Sequence, residues 1–273
     1  MPLSALALAL AAAFVHALWN LLLARERDPE AATAVALVTS VVVFAPVAAL
    51  VWDVDSRVWP FVAATSLLQL VYFALLGAAY RRADLSFVYP IARGLAPVLV
   101  LVTGVVALSQ SASGPQVAGV IVIASGVLLV RGPTGHADVR DGALAVGIAG
   151  CIAAYTLVDK HGVAYAPPIV YLELGMLPAA LGYLAAFRVL AGPARLRRQR
   201  LPGPAVAGVL GFVAYVLVLA ALERASAASV AAVRETSVVI ATVLAAAFLR
   251  EHVSHWRLAG AALVVAGIAL LTL

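Results

Sequence analysis

Arg93 stands in YPIARGLAP, residues 89–97, between DLSFV and VLVLVTGVVAL, in a run apolar enough to dissolve in lipid. A guanidinium at a helix centre costs about 2.5–3.5 kcal/mol on insertion scales. The surrounding Leu, Val and Ile, at about −0.3 to −0.6 kcal/mol each, offset that cost. The segment inserts, and the five N–H donors of Arg93 must then find acceptors. Pro90 removes one backbone donor, and Pro97 clashes with the carbonyl of Arg93 itself. Together they predict a kinked span with freed carbonyls beside the guanidinium, tolerable only against protein or a water-filled cavity. Tyr89, four residues before Arg93, shares its helix face. Such an arginine either meets an anionic ligand in a cavity or is a buried structural ion-pair partner.

Other polar side chains interrupt apolar runs in the same way. Arg234 and Glu235, in AVRETSV, are neighbours in sequence and therefore point about 100° apart on a helix. One division has Glu235 hold Arg93 from the other half of the chain while Arg234 faces a cavity; a purely structural ion pair is the alternative. Glu173, in IVYLELGML, is a further intramembrane acid, lying close enough to Pro167-Pro168 to snorkel to the interface. His16, Trp19 and Asn20 fall at i, i+3 and i+4 and form one stripe; Gln69 and Tyr72 form a smaller one. Tyr155 and Tyr215 sit mid-segment and could line the same space. Glu173, Glu235 and His16 are the candidates to carry coupling protons, since ionisable groups inside membranes mark ion pathways. Asp159, Lys160 and His161 close their segment and read as an interfacial anchor.

These residues must be held by membrane helices. The 273 residues are 64% hydrophobic and 11% charged, against about 25% charged in soluble domains. The formal charge of +5 reflects loop arginines that set membrane orientation, not a nucleic-acid surface. Gly, Pro and charge punctuate ten apolar segments, about 3–24, 31–52, 58–80, 85–108, 114–131, 140–159, 167–190, 202–222, 226–249 and 255–273. About 20 residues cross the hydrocarbon core as a helix, and continuous apolar runs of this length are not barrel strands. The first segment reads as a span and not a signal peptide, for it lacks a basic n-region. The lone Cys151 implies neither a disulfide framework nor a cysteine metal site. No nucleophile elbow, zinc-binding helix motif or phosphate loop is present, which argues against an enzyme.

The segments repeat. RADLSFVYPIAR (82–93) corresponds to RASAASVAAVRE (224–235), and AGVIVIASGVLLV (118–130) to AGAALVVAGIALL (259–271), with Gly119 and Gly126 echoed by Gly260 and Gly267. Trp19-Asn20 and Tyr155-Thr156 fall at equivalent places. The chain therefore reads as two five-helix repeats, 1–132 and 139–273, joined through GPTGHAD. An odd number of spans inserts the copies in opposite orientations, an all-α inverted-repeat architecture with its binding site between the halves. Arginines concentrate after odd-numbered segments, from Arg25 and Arg27 to Arg195, Arg197, Arg198 and Arg200. The positive-inside rule puts those turns in the cytoplasm and both termini outside.

HALWNLL (16–22), YPIARGLAP, AAYTLVDKHGV (153–163) and AVRETSV, with FLREHVSHWRLAGAALVVAGI closing the second half, resemble the drug/metabolite transporter superfamily, specifically its EamA-like members. The resemblance covers essentially the whole chain. It implies a multi-pass protein of the inner (plasma) membrane, with cytoplasmic termini, against the charge count. It further implies secondary transport of a small polar or charged metabolite by alternating access. Arg93 and Arg234 lean the substrate towards an amino acid, organic anion or phosphonate-like compound, with Tyr89, Glu235, His16, Trp19, Asn20, Gln69, Tyr72, Tyr155 and Tyr215 as further candidates to bind it. A lipid or lipid-carrier flippase on the same fold is the alternative. No cofactor, metal or nucleic acid is called for; protons are the candidate coupling ion, and the sequence leaves monomer and homodimer open.

Overall fold

A computed structural model describes residues 1–82, 85–131, 139–240, 243 and 255–272. The linker 132–138 lies outside the described residues, as does the side chain of Tyr89. The described chain is helical: α1 (Leu3–Ala24), α2 (Pro29–Leu50), α3 (Trp59–Arg82), α4 (Leu85–Val106), α5 (Gly114–Arg131), α6 (Val139–Gly162), α7 (Pro168–Ala191), the short α8 (Pro193–Arg198), α9 (Pro202–Arg224), α10 (Ala227–Arg234) and α11 (His255–Thr272). Six of these stretches are long and apolar enough to cross a membrane: Leu3–Leu23, Pro29–Leu50, Ser56–Ala79, Val139–Gly162, Pro168–Ala191 and Pro202–Arg224. Ile91–Val106, Gly114–Leu129 and Leu258–Leu271 are shorter apolar helices.

Helix starts follow local chemistry. The Asp28 carboxylate caps α2 by accepting from Ala31 N at 3.1 Å, with Pro29 at the first helical position, where its missing N–H costs nothing. Ser226 caps α10 by accepting from Ser229 N at 3.3 Å. Gln116 of α5 donates to the same Ser226 hydroxyl at 2.6 Å, which ties the start of α5 to the start of α10.

The helices pair in a regular way. α1 packs on α9, α3 on α6, α2 on α7, α4 on α6, and α5 most extensively on α11. Small residues allow the last contact. A Cβ at Gly119 would lie 2.9 Å from the Gly267 carbonyl, and one at Gly126 would lie 2.7 Å from that of Gly260. The earlier glycine of α5 meets the later glycine of α11, so the two helices cross antiparallel with their backbones in contact. A Cβ at Gly208 would likewise strike the Ala36 carbonyl, where α9 lies directly on α2.

Prolines do not end the fourth helix. α4 runs as one helix from Leu85 through Pro90 and Pro97 to Val106. The ninth segment, which has no proline, is the one that breaks: α10 stops at Arg234, Glu235 is a turn residue, and helix resumes over 236–240. At the break the bonding tightens, with Glu235 N donating to Ala232 O and Val238 N to Glu235 O, both at 3.0 Å. Thr236 supplies a cause, because its hydroxyl donates back to Val233 O; a threonine side chain competing for a helix carbonyl bends the helix. Arg234 and Glu235 therefore sit at an interruption and not within a continuous turn.

Candidate functional site

A cavity of about 110 Å³ lies among α1, α2, α3, α4, α6, α7, α9 and α10. Its polar lining is His16, Trp19, Thr33, Ser40, Gln69, Tyr72, Arg93, Tyr155, Tyr215 and Arg234; Leu37, Phe73, Leu172, Met176, Phe212 and Val218 supply apolar wall. Eight residues singled out in the sequence thus meet around one space: His16, Trp19, Gln69, Tyr72, Arg93, Tyr155, Tyr215 and Arg234. α2 and α7 also contribute wall, through Thr33 and Ser40 and through Leu172 and Met176. Thr33 and Ser40 show no apolar-run anomaly that would have drawn attention to them.

The stripe on α1 divides. Trp19 Nε1 donates to His16 Nδ1 at 3.1 Å, and the rings meet edge to face at 5.0 Å. That bond makes Nδ1 an acceptor and so leaves the ring proton on Nε2. Asn20 turns away from the cavity and donates to the His16 carbonyl at 2.9 Å, a local bond within its own helix. On the facing side three tyrosines form a row: Tyr72 and Tyr155 are 6.0 Å apart, Tyr155 and Tyr215 5.8 Å, each pair near perpendicular, a favoured aromatic geometry.

Arg93 is pinned from across the molecule. Its Nε lies 2.7 Å from Glu235 Oε2, and its Nη2 donates to the Ser237 hydroxyl at 2.9 Å. Arg93 is 4% exposed and Glu235 0%. Arg234 also lies near this carboxylate, with Nε 4.0 Å from Oε1, at the outer limit of an ion pair. The Tyr155 side chain faces the Arg234 guanidinium. Arg234 Nε and Nη2 are buried and make no hydrogen bond among the described residues. Both arginines line the cavity; Glu235 does not and stands behind them. Two guanidiniums share one carboxylate, so the wall of the cavity carries a net positive charge.

Glu173 is 8% exposed and lies off the cavity, with Oε2 lacking a hydrogen-bond partner among the described residues. Asp159 departs most from its sequence reading. It is not an interfacial anchor: it is 0% exposed, because α6 continues to Gly162 and carries it inside. Tyr171 donates to its Oδ1 at 2.8 Å and Tyr215 to its Oδ2 at 2.5 Å. Lys160, its neighbour, turns instead to the Leu222 carbonyl at 2.5 Å, and His161 bonds back to Leu157 O at 2.8 Å. One signal in the sequence did point inward, for Asp159 lies four residues after Tyr155 and so shares its face.

At one end of the bundle an ion cluster joins the two halves. Arg195 of α8 grips Asp28 with both Nε (2.7 Å) and Nη2 (2.6 Å) and reaches Glu30 Oε2 at 3.1 Å. The Arg195 guanidinium holds the Asp28 carboxyl below the usual carboxylate range. Gln199 adds a bond to Glu26 at 2.8 Å. This cluster closes the end where α1 meets α2 and where α7 passes through α8 to α9.

A many-helix membrane protein with a small, buried, positively charged cavity at the meeting point of its helices is the class these features define. The model of the EamA-like transporter family matches residues 3–132 and 142–273, and the chain belongs to that family, within the drug/metabolite transporter superfamily. It is a membrane transporter by family. Among solved structures, one described only as a crystal structure of a protein matches with a TM-score of 0.81 at 18% identity, covering 100% of this chain and 97% of that one. At that identity the likeness speaks for the fold alone. No curated protein matches significantly.

Proposed function

We propose that this chain is a secondary transporter of a small anionic or zwitterionic metabolite bearing a carboxylate or phosphonate-like group. The carrying observation is Arg234: a buried guanidinium on the cavity wall whose Nη2 makes no hydrogen bond among the described residues and whose Nε has only the Glu235 carboxylate, at 4.0 Å. A buried donor without an acceptor costs about 1–3 kcal/mol, more for a charged group, and an oxyanion in the cavity would remove that cost. Arg93 supplies field from the same side but is already engaged by Glu235 and Ser237. His16, Gln69 and Tyr72 on the opposing helices, with the Trp19 ring, are the groups placed to read the remainder of the substrate.

The transport cycle in this reading is alternating access, the two halves rocking about the cavity. Inverted repeats are supported by the antiparallel crossing of α5 and α11 and by pairings, such as α1 on α9 and α6 on α3, that exchange when the halves are exchanged. The arginine-rich turns around Arg25 and Arg195–Arg200 support a cytoplasmic location for that end, with the termini outside. Labelling of a cysteine placed in residues 195–200 by an impermeant reagent in intact cells would overturn this orientation.

The test of the substrate class is a proteoliposome uptake screen of amino acids, organic acids and phosphonates with wild type and Arg234→Ala. A charged hydrogen-bond contact is worth about 1.5–3 kcal/mol, so Arg234→Ala should weaken uptake of the accepted anion about 10- to 100-fold. The same variant leaves Arg93 and Glu235 as a neutral pair, so the protein should still fold. Uptake indifferent to Arg234→Ala removes that arginine from binding and the anion reading with it.

A further inference from the structure

Three buried carboxyls and the half-buried His16 imidazole lie in or beside the cavity, and they are not equivalent. Glu235 is pinned by Arg93. Glu173 lies off the cavity wall. His16 Nδ1 already accepts the Trp19 N–H. Asp159 remains: 0% exposed and without an ion pair to any Lys, Arg or His among the described residues.

Its surroundings are hydroxyls. Tyr171 comes from α7 and Tyr215 from α9, and the Thr65 hydroxyl faces it from α3. Of the cations packed nearby, Lys160 on its own helix turns away to Leu222 O, and Arg234 on α10 acts only from a distance, beyond Tyr155 and Tyr215. Glu223, at the end of α9, pairs with Arg224. A fully buried carboxylate held by hydroxyl donors keeps an uncompensated charge, and such groups either neutralise or bind a cation.

We propose that Asp159 is a proton-carrying carboxyl of the transport cycle, linked to substrate through the hydroxyl of Tyr215. Tyr215 both donates to Asp159 Oδ2 and lines the cavity. A phenol has one hydrogen to give. While Asp159 is a carboxylate, that hydrogen is spent on Oδ2. When Oδ2 takes up a proton it gains an O–H bond and donates to the Tyr215 oxygen, whose own hydrogen turns to the cavity and donates to an anion there. No tyrosine bond breaks, and release of the anion and then of the proton restores the first arrangement. Anion and proton therefore bind together. Binding the anion takes up a proton, and affinity for the anion rises as pH falls through the range where Asp159 titrates, by at most about tenfold per pH unit for one coupled proton.

The inference rests on the cavity being the anion site, so the test has one arm without a ligand and one with. In the first, the full chain in lipid nanodiscs is titrated by infrared difference spectroscopy. Wild type should show a pH-dependent carboxylic-acid band that is absent in Asp159→Asn and shifted in Tyr215→Phe. A band that persists in Asp159→Asn overturns the proposal. Should that variant fail to fold, a titration unmoved in Tyr215→Phe overturns the link. A band that responds to sodium in place of protons makes Asp159 a cation site and also overturns it. In the second arm the probe is methanesulfonate, whose charge is constant over the range. Wild-type affinity should rise as pH falls; Tyr215→Phe should bind about tenfold more weakly, the loss of about one charged hydrogen bond, and without pH dependence. Methanesulfonate binding that is pH-independent in wild type overturns the linkage. Failure of wild type to bind any small anion defeats the anion reading, while the first arm still decides whether Asp159 exchanges a proton.

Discussion

Glu235 and Asp159 are both carboxyl groups with no exposed surface beside one cavity, yet their neighbours differ in kind. Glu235 stands between two guanidiniums, at 2.7 Å from Arg93 and 4.0 Å from Arg234. Asp159 is met by the phenols of Tyr171 and Tyr215. Losing the first charge would leave two buried cations facing each other. The second is in direct contact with no cation among the described residues, so gaining a proton removes a buried charge and gives up only a hydrogen bond accepted from a phenol. Beside one cavity, then, one buried carboxyl is held by guanidiniums and another by hydroxyls.

A matched pair of isosteric variants should separate the two carboxyls most widely. Glu235→Gln leaves Arg93 and Arg234 buried without their counter-charge. Breaking a buried pair by removing one partner costs about 3–5 kcal/mol. Asp159→Asn keeps an oxygen to accept from one tyrosine and removes an uncompensated charge, so its cost should stay within about 1 kcal/mol. Chemical unfolding of both variants in the same detergent measures the difference. Equal losses would mean that the two carboxyls are held alike.

A smaller effect separates the two phenols on Asp159. Tyr171 is buried, 1% exposed, and does not line the cavity, whereas Tyr215 does. Tyr171→Phe should therefore lower stability by about 1 kcal/mol, the net worth of one hydrogen bond, while keeping the pH dependence of anion binding. Tyr215→Phe should lose that pH dependence. Binding isotherms at two pH values read the contrast directly, and identical behaviour of the two variants would show that the cavity-facing hydroxyl has no special part.

How much of this could be read beforehand varies with how local the cause is. Arg93, Arg234 and Glu235 were legible because each is an anomaly in an apolar run and because the repeats align 82–93 with 224–235. That alignment brings Arg93 level with Glu235, the residue it meets. The break at Glu235 has no loud signal in the sequence, for it comes from a threonine hydroxyl competing for a carbonyl and not from a proline. Asp159 was misread because Asp-Lys-His at the end of an apolar run looks like the edge of a bilayer. Its burial depends on Tyr171 and Tyr215, 12 and 56 residues further on, and no local pattern announces those partners. The α8 cluster was missed for the same reason, since Arg195 reaches back 167 residues to Asp28.

That cluster offers a third carboxylate against which to calibrate the other two, and the smallest effect. Asp28 also faces a guanidinium, here in bidentate contact and partly open to solvent: its side chain is 24% exposed and that of Arg195 40%. Screening reduces such a pair to about 0.5–1 kcal/mol. Because Arg195 holds Asp28 below the usual carboxylate range, the contribution is fully present at neutral pH, above the unfolded value near 3.9. It is lost as pH falls through the lower folded value. Arg195→Ala should therefore lower the thermal midpoint slightly at neutral pH and not at all in strong acid, where wild type has already lost the interaction, and high salt should shrink the neutral-pH difference. A neutral-pH loss as large as that of Glu235→Gln would mean that burial is not what separates these carboxylates, since the same guanidinium chemistry would then count equally in water and within the bundle.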